Sequence, residues 1–418
     1  MVLVKELEDP TPPNNIGNSP TISASNEWSP LHTLLIGRAS HSLFPSEPPH
    51  MIRATMPSPH HHLFYPHHRF PASIVAKADE ELDNFARVMT EKFGIKVYRP
   101  REVDWDNEAN GYTGAMPRDG LMVVGRTVVE ACFAWGCRRE EVDLAFGGVL
   151  EEIQVQVVRE VKEKEKEKEK EEKEGEGAGE EDVNVRICRA PKILGRDTIY
   201  DGLLDEDENG EDQDVDVDGN IDHGPCAENG VVVRKKWAIN NTRPAFDCAD
   251  FMRFGTVLIG QLSHVTNPKG VDYLRAVLPS PYTVELLNTT DDHAMHIDAT
   301  ILPLRHGTLI YCPLRVTEEE LRRHEVFRDW ELRPLPWNPE EEEEEEDGPP
   351  MYMCSKWLVL NALSVNETTI VVEERQERFA RWLEEEFGME VVRLPFRHVN
   401  SLGGSFHCAT VDLVRGEF

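Results

Sequence analysis

The sequence predicts an α/β fold of about five strand–strand–helix–strand units that close into a propeller-like ring. Two observations support this prediction. A helix–turn–strand segment recurs along the chain, and so does a hairpin of two short apolar strands. Repetition of one such unit is typical of an architecture built from repeats. Short strands in repeated hairpins favour a closed ring over a doubly wound sheet.

The helix–turn–strand segment is clearest in two stretches, NFARVMTEKFGIKVYRP at 84–100 and RFARWLEEEFGMEVVRLP at 378–395. The first stretch overlaps a longer segment, residues 73–93, in which apolar residues recur at helical spacing. Gly94 is expected to end that helix, and IKVYR then reads as a strand. VDYLRAVLPSPYTVELL at 271–287 is a looser third copy.

The predicted hairpins are LMVVGRTVVEA (121–131), FMRFGTVLIGQLS (251–263), ATILPLRHGTLIYC (299–312) and WLVLNALSVNETTIVVE (357–373). A first strand ending at Gly37, in NEWSPLHTLLIGRA, joins a C-terminal counterpart to give the fifth unit. The Pro- and His-rich residues 45–72 are predicted to be a loop.

Acidic charge is concentrated in segments. Most of the formal net charge of −32 lies at about 155–183, 201–230 and 339–348. We expect these segments to be surface insertions, because loop insertions cost little stability. The KEKEKE run is either a solvated helix or a disordered polyampholyte. Residues 1–25 are predicted to be a flexible arm, which leaves 26–418 as one domain.

Composition argues against several classes of function. An ordinary acidic protein lacks the basic stripe that nucleic-acid binding needs, so no nucleic-acid partner is expected. No run approaches the roughly 18 apolar residues of a membrane helix, and the first residues show no secretory or transit pattern. The eight cysteines contain no C-x-x-C pair. We interpret them as reduced thiols of a cytoplasmic protein, with a mitochondrial location left open.

Chemically active residues precede the first strand of each unit. MPRD (116–119), FDCAD (246–250), MHID (295–298) and SK (355–356) stand before the hairpins, and Cys408 opens the final strand. Equivalent positions of repeats around a pseudo-axis converge on that axis. We therefore expect one central pocket lined by Asp119, Asp247, Asp250, His296, Asp298 and Cys408.

Cys408 is the candidate nucleophile, because a thiolate formed with the help of a base attacks electrophilic carbon. His407 is adjacent, but neighbours in a strand point to opposite faces. We therefore expect His407 to have a packing or supporting role. His296 is the better base, with Asp298 two residues on, and Asp247 or Asp250 would orient it as an acid does in a triad.

The surrounding carboxylates indicate a cationic substrate. They raise the pKa of a thiol, so they do not activate Cys408 themselves. A planar guanidinium has five donors that match paired carboxylates, and its charge would favour the thiolate. Taken singly, each residue is explained as well by a buried thiol or a turn aspartate. Their repetition at equivalent positions favours a shared site.

No metal site is predicted. The histidine-rich stretch at 59–70 has no cysteine or acid at ligand spacing, so a solvated loop is expected there. The sequence contains no Walker A motif and no G-x-S-x-G motif. Gly403 and Gly404 are expected to allow a tight turn and a close backbone approach before Cys408.

Together the motifs resemble the amidinotransferase family, and most strongly its glycine amidinotransferases. The resemblance extends over about 26–415 and rests on NEWSPLHTLLIGRA, MPRDGLMVVG, FDCADFMRFG, MHIDAT, SKWLVLN and SLGGSFHCAT. It implies a five-bladed α/β propeller (pentein) and a single catalytic domain over 26–418. It further implies no cofactor, no metal and no membrane partner, with small-molecule substrates and a homodimeric state.

The resemblance also implies a role for each site residue. Cys408 would be the nucleophile, His296 the acid and base, and Asp247 its orienting partner. Asp119 and Asp298 would bind the guanidinium. The remaining substrate-binding residues would be Arg315, which takes the α-carboxylate of the donor, with Ser355, Asp250, Met295 and His293.

The implied reaction moves the amidino group of L-arginine to an amine, glycine or a related one, through an amidino-cysteine, and releases L-ornithine. The acceptor stays open, because this chain has His293 where the family has Asn and Ala409 where it has Trp. This chain also has Ala245 where the family typically has Cys, and Cys248 where the family typically has Ala. Two alternatives remain: a guanidino-group hydrolase that yields citrulline, and a non-catalytic homologue.

Overall fold

The computed structural model describes residues 20–108, 111–174, 185–200, 237–342 and 348–417. The strands in these ranges are β1 (Leu31–Ile36), β2 (Lys96–Tyr98), β3 (Leu121–Val124), β4 (Thr127–Glu130), β5 (Arg186–Cys188), β6 (Phe251–Phe254), β7 (Val257–Gly260), β8 (Thr283–Leu286), β9 (Ile301–Arg305), β10 (Thr308–Tyr311), β11 (Glu331–Pro334), β12 (Leu363–Asn366), β13 (Thr369–Glu373), β14 (Glu390–Leu394) and β15 (Thr410–Arg415). The α-helices there are α1 (Pro49–Thr55), α2 (Ala72–Phe93), α3 (Pro117–Gly120), α4 (Gly147–Glu174), α5 (Pro268–Val277), α6 (Glu318–Arg322), α7 (Glu377–Phe387) and α8 (Arg397–Ser401).

The strands form five three-stranded sheets within the described ranges: β15–β1–β2, β3–β4–β5, β6–β7–β8, β9–β10–β11 and β12–β13–β14. In every sheet the first strand is antiparallel to the middle one, and the middle strand is parallel to the third. A helix lies in the chain between the middle and third strands each time. This arrangement is consistent with five copies of the predicted unit.

Helices α2 and α7 show why the recurring segment folds as it does. Each places an apolar stripe in the core, including Leu82 and Phe85 of α2 and Leu383 of α7. Each ends at a glycine in the left-handed region, Gly94 at φ 66° and Gly388 at φ 64°. A residue with a Cβ atom disfavours that conformation. The prediction that these two segments are equivalent is confirmed, since both lead into the third strand of a sheet.

Three local predictions need correction. The expected loop at 45–72 contains α1, a 3-10 helix at Ser58–Leu63 and the start of α2. The WLVLN stretch forms a 3-10 helix, Lys356–Leu360, so the hairpin begins later, at β12. The predicted arm is wrong for 20–25, where Ile22 and Ala24 are buried, residue 23 bridges to β15 and residue 24 bridges to the turn between β3 and β4.

For the charged run at 155–183, the helical alternative is confirmed as far as Glu174, within α4.

Other predicted segments lie outside the described residues. These are residues 1–19 of the arm, residues 175–183 of the first acidic segment, the whole of the acidic segment at 201–230, and residues 343–347 of the third. The α4 helix explains where the first acidic segment begins: its N-terminal turns bury Val149, Leu150 and Ile153, and the KEKEKE run follows on the same helix.

A buried ion cluster joins β15 to two other parts of the chain. β15 pairs with β1 from Leu31 opposite Arg415 to Ile36 opposite Thr410. Arg253 of β6 donates to both oxygens of Glu27, at 2.7 and 2.6 Å, and also to Asp412 of β15. Charges removed from water in this way are stable only when they are paired. The cluster therefore fixes the position of β15 relative to β6.

Replacing Arg253 with methionine is expected to lower the free energy of unfolding by about 3–5 kcal/mol, because two buried carboxylates lose a cation. Chemical denaturation followed by tryptophan fluorescence measures the loss. Lys77→Met is the matched control, since Lys77 forms a solvent-exposed pair with Glu80 and such pairs contribute little. An Arg253→Met protein as stable as the Lys77→Met protein would contradict the expectation.

Among the described residues, no helix is both long enough and apolar enough to cross a membrane.

Candidate active site

The segments that precede the first strand of each sheet meet at one place. They are α3, three 3-10 turns at Cys248–Asp250, Ile297–Ala299 and Lys356–Leu360, and the turn before β15. The α3 helix contacts the first 3-10 turn, each 3-10 turn contacts the next, and α3 also contacts β15. The predicted convergence of equivalent positions is therefore present in the structure.

Three of the predicted site residues come very close together. A carboxylate oxygen of Asp119, a ring nitrogen of His296 and the Sγ atom of Cys408 lie within 4.8 Å of one another. Asp247 is joined to His296, and Asp298 is joined to Cys408, so both belong to the same cluster. All five side chains are at least nine-tenths buried. Charges in such a place interact strongly because water does not screen them.

Cys408 is held by two neighbours. Its Sγ atom is 3.0 Å from Asp298 Oδ2, and the Asn361 side-chain amide donates to it at 3.0 Å. The Asn361 oxygen accepts hydrogen bonds from the backbone N–H groups of Ser405 and Cys408. Asn361 therefore fixes both the sulfur and the turn that carries it. Burial raises the pKa of Cys408 well above its usual value, and Asp298 and Asp119 raise it further.

The paired glycines before Cys408 act as predicted. Gly403 has φ 107°, in the region that favours glycine. A Cβ atom on Gly404 would lie 2.5 Å from Met116 Sδ and 2.6 Å from Cys408 Cβ. Only a residue without a side chain fits there, so the glycines allow the turn and the close approach.

His296 lies between two carboxylates. Its Nε2 atom is 3.1 Å from Asp247 Oδ2, and its Nδ1 atom is 3.7 Å from Asp119 Oδ1. Burial alone would lower the pKa of His296, but Asp119 and Asp247 outweigh that effect and raise the pKa to about 10. The imidazole is therefore protonated at neutral pH and can donate a proton.

The placement of His407 corrects one argument from the sequence. Residues 405–409 form a turn and not a strand, with the Ala409 N–H donating to the Ser405 carbonyl at 2.8 Å. Strand alternation therefore does not apply. His407 Nδ1 lies 2.8 Å from Asp298 Oδ2, the same oxygen that Cys408 contacts, and its Nε2 lies 3.4 Å from Glu27.

His407 has a supporting position for this reason. Burial raises the pKa of Asp298, but the hydrogen bond from His407 and its charge outweigh burial, so the pKa stays below the usual value. Asp298 is therefore kept ionised beside the thiol. No spacing rule predicts this contact, because His407 and Asp298 are remote in the chain and meet only through the fold.

Asp250 does not belong to the cluster of Asp119, Asp247, His296, Asp298 and Cys408. It accepts hydrogen bonds from Gln261 at 3.0 Å and Ser263 at 2.6 Å, and from Thr266. Thr266 also accepts from the backbone N–H of Asp247. Both Asp250 oxygens are occupied by the protein, so the structure gives Asp250 contacts that shape the turn at 247–250.

The other predicted binding residues lie on flanking segments. Arg315 pairs with Asp291 at 2.9 Å and donates to the Ala299 carbonyl at 3.0 Å. His293 faces the surface, with its Nδ1 atom 2.8 Å from the Ala54 carbonyl. Met295 is half-buried against the core, and Ser355 is half-buried at the start of the Lys356–Leu360 turn. Through its hydrogen bond to Ala299, Arg315 contacts the 3-10 turn that contains Asp298.

Arg138, Glu141 and Asn361 were missed from the sequence. Arg138 is buried, donates to Asp119 Oδ2 at 2.7 Å and lies 3.7 Å from Asp247 Oδ2. Glu141 receives two hydrogen bonds from Arg138. Neither residue precedes a first strand, so the repeat pattern that identified the others does not reach them. Asn361 ends the SKWLVLN motif and could have been found there.

The converging donor atoms of Asp119, His296 and Cys408 suit proton and group transfer better than a metal ion. A metal would need an unprotonated histidine, whereas two carboxylates keep His296 protonated. The Arg138 cation already occupies one oxygen of Asp119. Among the described residues, no other group of three such side chains converges in this way.

Three known proteins that are similar to this chain are all amidinotransferases. The chain is 31% identical over 414 residues to the L-arginine:L-lysine amidinotransferase of Pseudomonas savastanoi pv. phaseolicola, with 96% of each chain covered. It is 29% identical over 411 residues to the mitochondrial glycine amidinotransferase of Danio rerio, which covers 94% of this chain and 83% of the relative. Among solved structures, the amidinotransferase SxtG of Microseira wollei, from saxitoxin biosynthesis, has a TM-score of 0.73 at 25% identity, covering 95% of this chain and 98% of that one. No family model matches the chain.

Proposed function

Because the chain belongs to the amidinotransferase family, and is thus a transferase, we propose that it moves the amidino group of L-arginine to an amine acceptor. Cys408 carries the group as a covalent amidino-cysteine, and L-ornithine leaves. The observation that supports this most strongly is the buried cluster of a thiol, a histidine and three carboxylates. That set matches a guanidinium in charge and in donor pattern.

The first half-reaction begins when the guanidinium binds between Asp119 and Asp298. Its positive charge stabilises the thiolate of Cys408, and the thiol proton leaves to solvent as the cation binds, while His296 keeps its own proton. The thiolate attacks the guanidinium carbon and forms a C–S bond. His296 donates its proton to the departing nitrogen, the C–N bond breaks and L-ornithine is released. Asp247 holds the imidazole during this transfer.

The second half-reaction reverses these roles. The acceptor amine attacks the carbon of the amidino-cysteine and forms a new C–N bond. His296, now neutral, takes the proton from the attacking nitrogen, and the C–S bond breaks to regenerate the thiolate. Arg315 supports the α-carboxylate of an amino-acid substrate, provided that it exchanges its contact with Asp291 for the ligand.

Product analysis tests the proposal. The protein is incubated with L-arginine alone and with glycine, L-lysine or a panel of simple amines, and the products are identified by mass spectrometry. Ornithine together with a guanidino product that depends on the amine supports transfer. Citrulline and ammonia without an amine would instead assign hydrolysis. No reaction of L-arginine under any condition would leave the non-catalytic homologue as the explanation.

The pKa of His296, about 10, leads to a pH prediction. The first half-reaction needs the protonated imidazole, which is the dominant form below pH 10 and is lost above it. The burst of ornithine in the first turnover is therefore expected to persist through neutral pH and to fall near pH 10. Rapid-quench measurements over pH 6–11, with circular dichroism to confirm folding, check this. A decline near pH 6.5, the usual value for histidine, would contradict it.

We also infer that the five sheets are the blades of a closed five-bladed α/β propeller, and that residues 26–418 form one catalytic domain. The contacts between successive 3-10 turns, and between α3 and β15, support the ring. A cytoplasmic location remains part of the proposal. It is supported by the free thiols of all seven cysteines in the described ranges.

A further inference from the structure

We propose that Arg138, held by Glu141, is a positioning residue that orients Asp119 and Asp247, so that the Oδ1 atom of each joins Asp298 in binding the guanidinium of the donor. The inference deepens the function proposed above and rests on it. It concerns two residues that lie outside the pattern of equivalent positions in the repeats.

Arg138 is enclosed on every side by groups that suit a guanidinium. Its Nε and Nη2 atoms donate to the two oxygens of Glu141 at 2.9 and 2.8 Å. Its Nη1 atom donates to Asp119 Oδ2 at 2.7 Å and is 3.7 Å from Asp247 Oδ2. The guanidinium lies 4.7 Å from the ring of Phe133. A bidentate carboxylate and an aromatic face fix both its position and its plane.

The two aspartates each have one oxygen left over. Arg138 donates to Asp119 Oδ2, and His296 Nε2 contacts Asp247 Oδ2. Both Oδ1 atoms are buried without a hydrogen bond from the described residues, although Asp119 Oδ1 has His296 Nδ1 at 3.7 Å. A buried acceptor that receives no hydrogen bond destabilises the protein. A cation that supplies several donors in a plane would provide a hydrogen bond to both atoms. These two oxygens therefore point to a second guanidinium, that of the substrate, beside the one already in the protein.

Charge explains why Arg138 is needed. Glu141, Asp119 and Asp247 place three carboxylates around this one guanidinium. The other titratable groups that face the cluster are His296, Asp298, Asp250, Cys408, Cys248, Cys137 and Tyr112. Burial raises the pKa of Asp119, and His296 and Arg138 oppose that rise. Without Arg138 the pKa of Asp119 would rise further, and less of it would be ionised at neutral pH.

Two substitutions separate charge from geometry. Arg138→Met removes both, so we expect the KM for L-arginine to rise at least tenfold and the acid limb of kcat/KM to move to higher pH. Arg138→Lys keeps the charge but loses the planar fork. It should raise KM while leaving the acid limb close to that of the unmodified protein. Glu141→Gln should lie between them. A role in stability alone would lower the denaturation midpoint without moving the limb.

Arg139→Lys is the matched control, because Arg139 pairs with Asp197 away from the cluster. Direct binding of L-arginine is measured by calorimetry in a Cys408→Ser background, where no transfer occurs. If this background protein binds L-arginine and the added Arg138→Met change weakens binding tenfold or more, the positioning role is supported. If a folded Arg138→Met protein keeps the original KM and acid limb, the role is overturned. If the background protein does not bind L-arginine at all, the proposed function itself fails.

Discussion

Replacement of Cys408 by serine is expected to lower the rate of amidino transfer from L-arginine by about 10⁴-fold or more. Loss of a nucleophile that acts together with its base removes the covalent route entirely. A serine hydroxyl would be a much weaker nucleophile at the same position, since no group in the cluster lowers its pKa enough to form an alkoxide. Steady-state production of ornithine with a saturating acceptor measures the loss.

Cys188→Ser is the control for this experiment, because Cys188 is a half-buried thiol in β5, remote from the cluster. Its activity should equal that of the unmodified protein. Trapping supplies a second measurement: brief incubation with L-arginine followed by acid should yield a peptide around Cys408 that carries the added amidino group. Undiminished transfer by the Cys408→Ser protein would rule out the covalent mechanism.

Replacement of His296 by asparagine is expected to lower turnover by roughly 10²–10⁴-fold, the range typical of a positioned acid or base. Asparagine keeps a hydrogen bond to Asp247 but has no proton to transfer. Both half-reactions should slow, because the same imidazole donates a proton in the first and accepts one in the second. The pH dependence near 10 should disappear together with the rate.

His41→Asn is a suitable control for His296→Asn. His41 is partly exposed, with φ 60°, a conformation that asparagine tolerates well. Its activity should be unchanged. Binding of L-arginine to the His296→Asn protein should be retained within a few-fold, since Asp119 and Asp298 stay in place. A rate that falls only because binding is lost would contradict a role in proton transfer.

The parts of the fold that were predictable are those with local causes. The helical stripe that ends at Gly94 and its counterpart that ends at Gly388 are set by residue spacing and by the freedom of glycine. The convergence of residues before each first strand followed from repetition of one unit. Both inferences need only short stretches of chain and a rule for how they repeat.

The parts that were not predictable depend on contacts between distant residues. His407 and Asp298 meet through the fold, and whether residue 407 lies in a strand or a turn depends on the backbone contacts that Asn361 makes there. Arg138 likewise joins the site through Asp119 and Asp247, with no periodic signal of its own. Side-chain orientation within a turn and the choice of ion-pair partner are decided by packing.

The pairing of β15 with β1 has a consequence for how the protein is made. On the ribosome, β1 emerges early, whereas β15 and the turn that carries Cys408 are synthesised only after the other four sheets. Until then β1 has a free hydrogen-bonding edge, which is a site where strands of other chains can add. The incomplete chain is therefore prone to aggregation during synthesis and can be bound by chaperones. The thiol of Cys408 reaches its neighbours only in a chain whose first sheet has been completed.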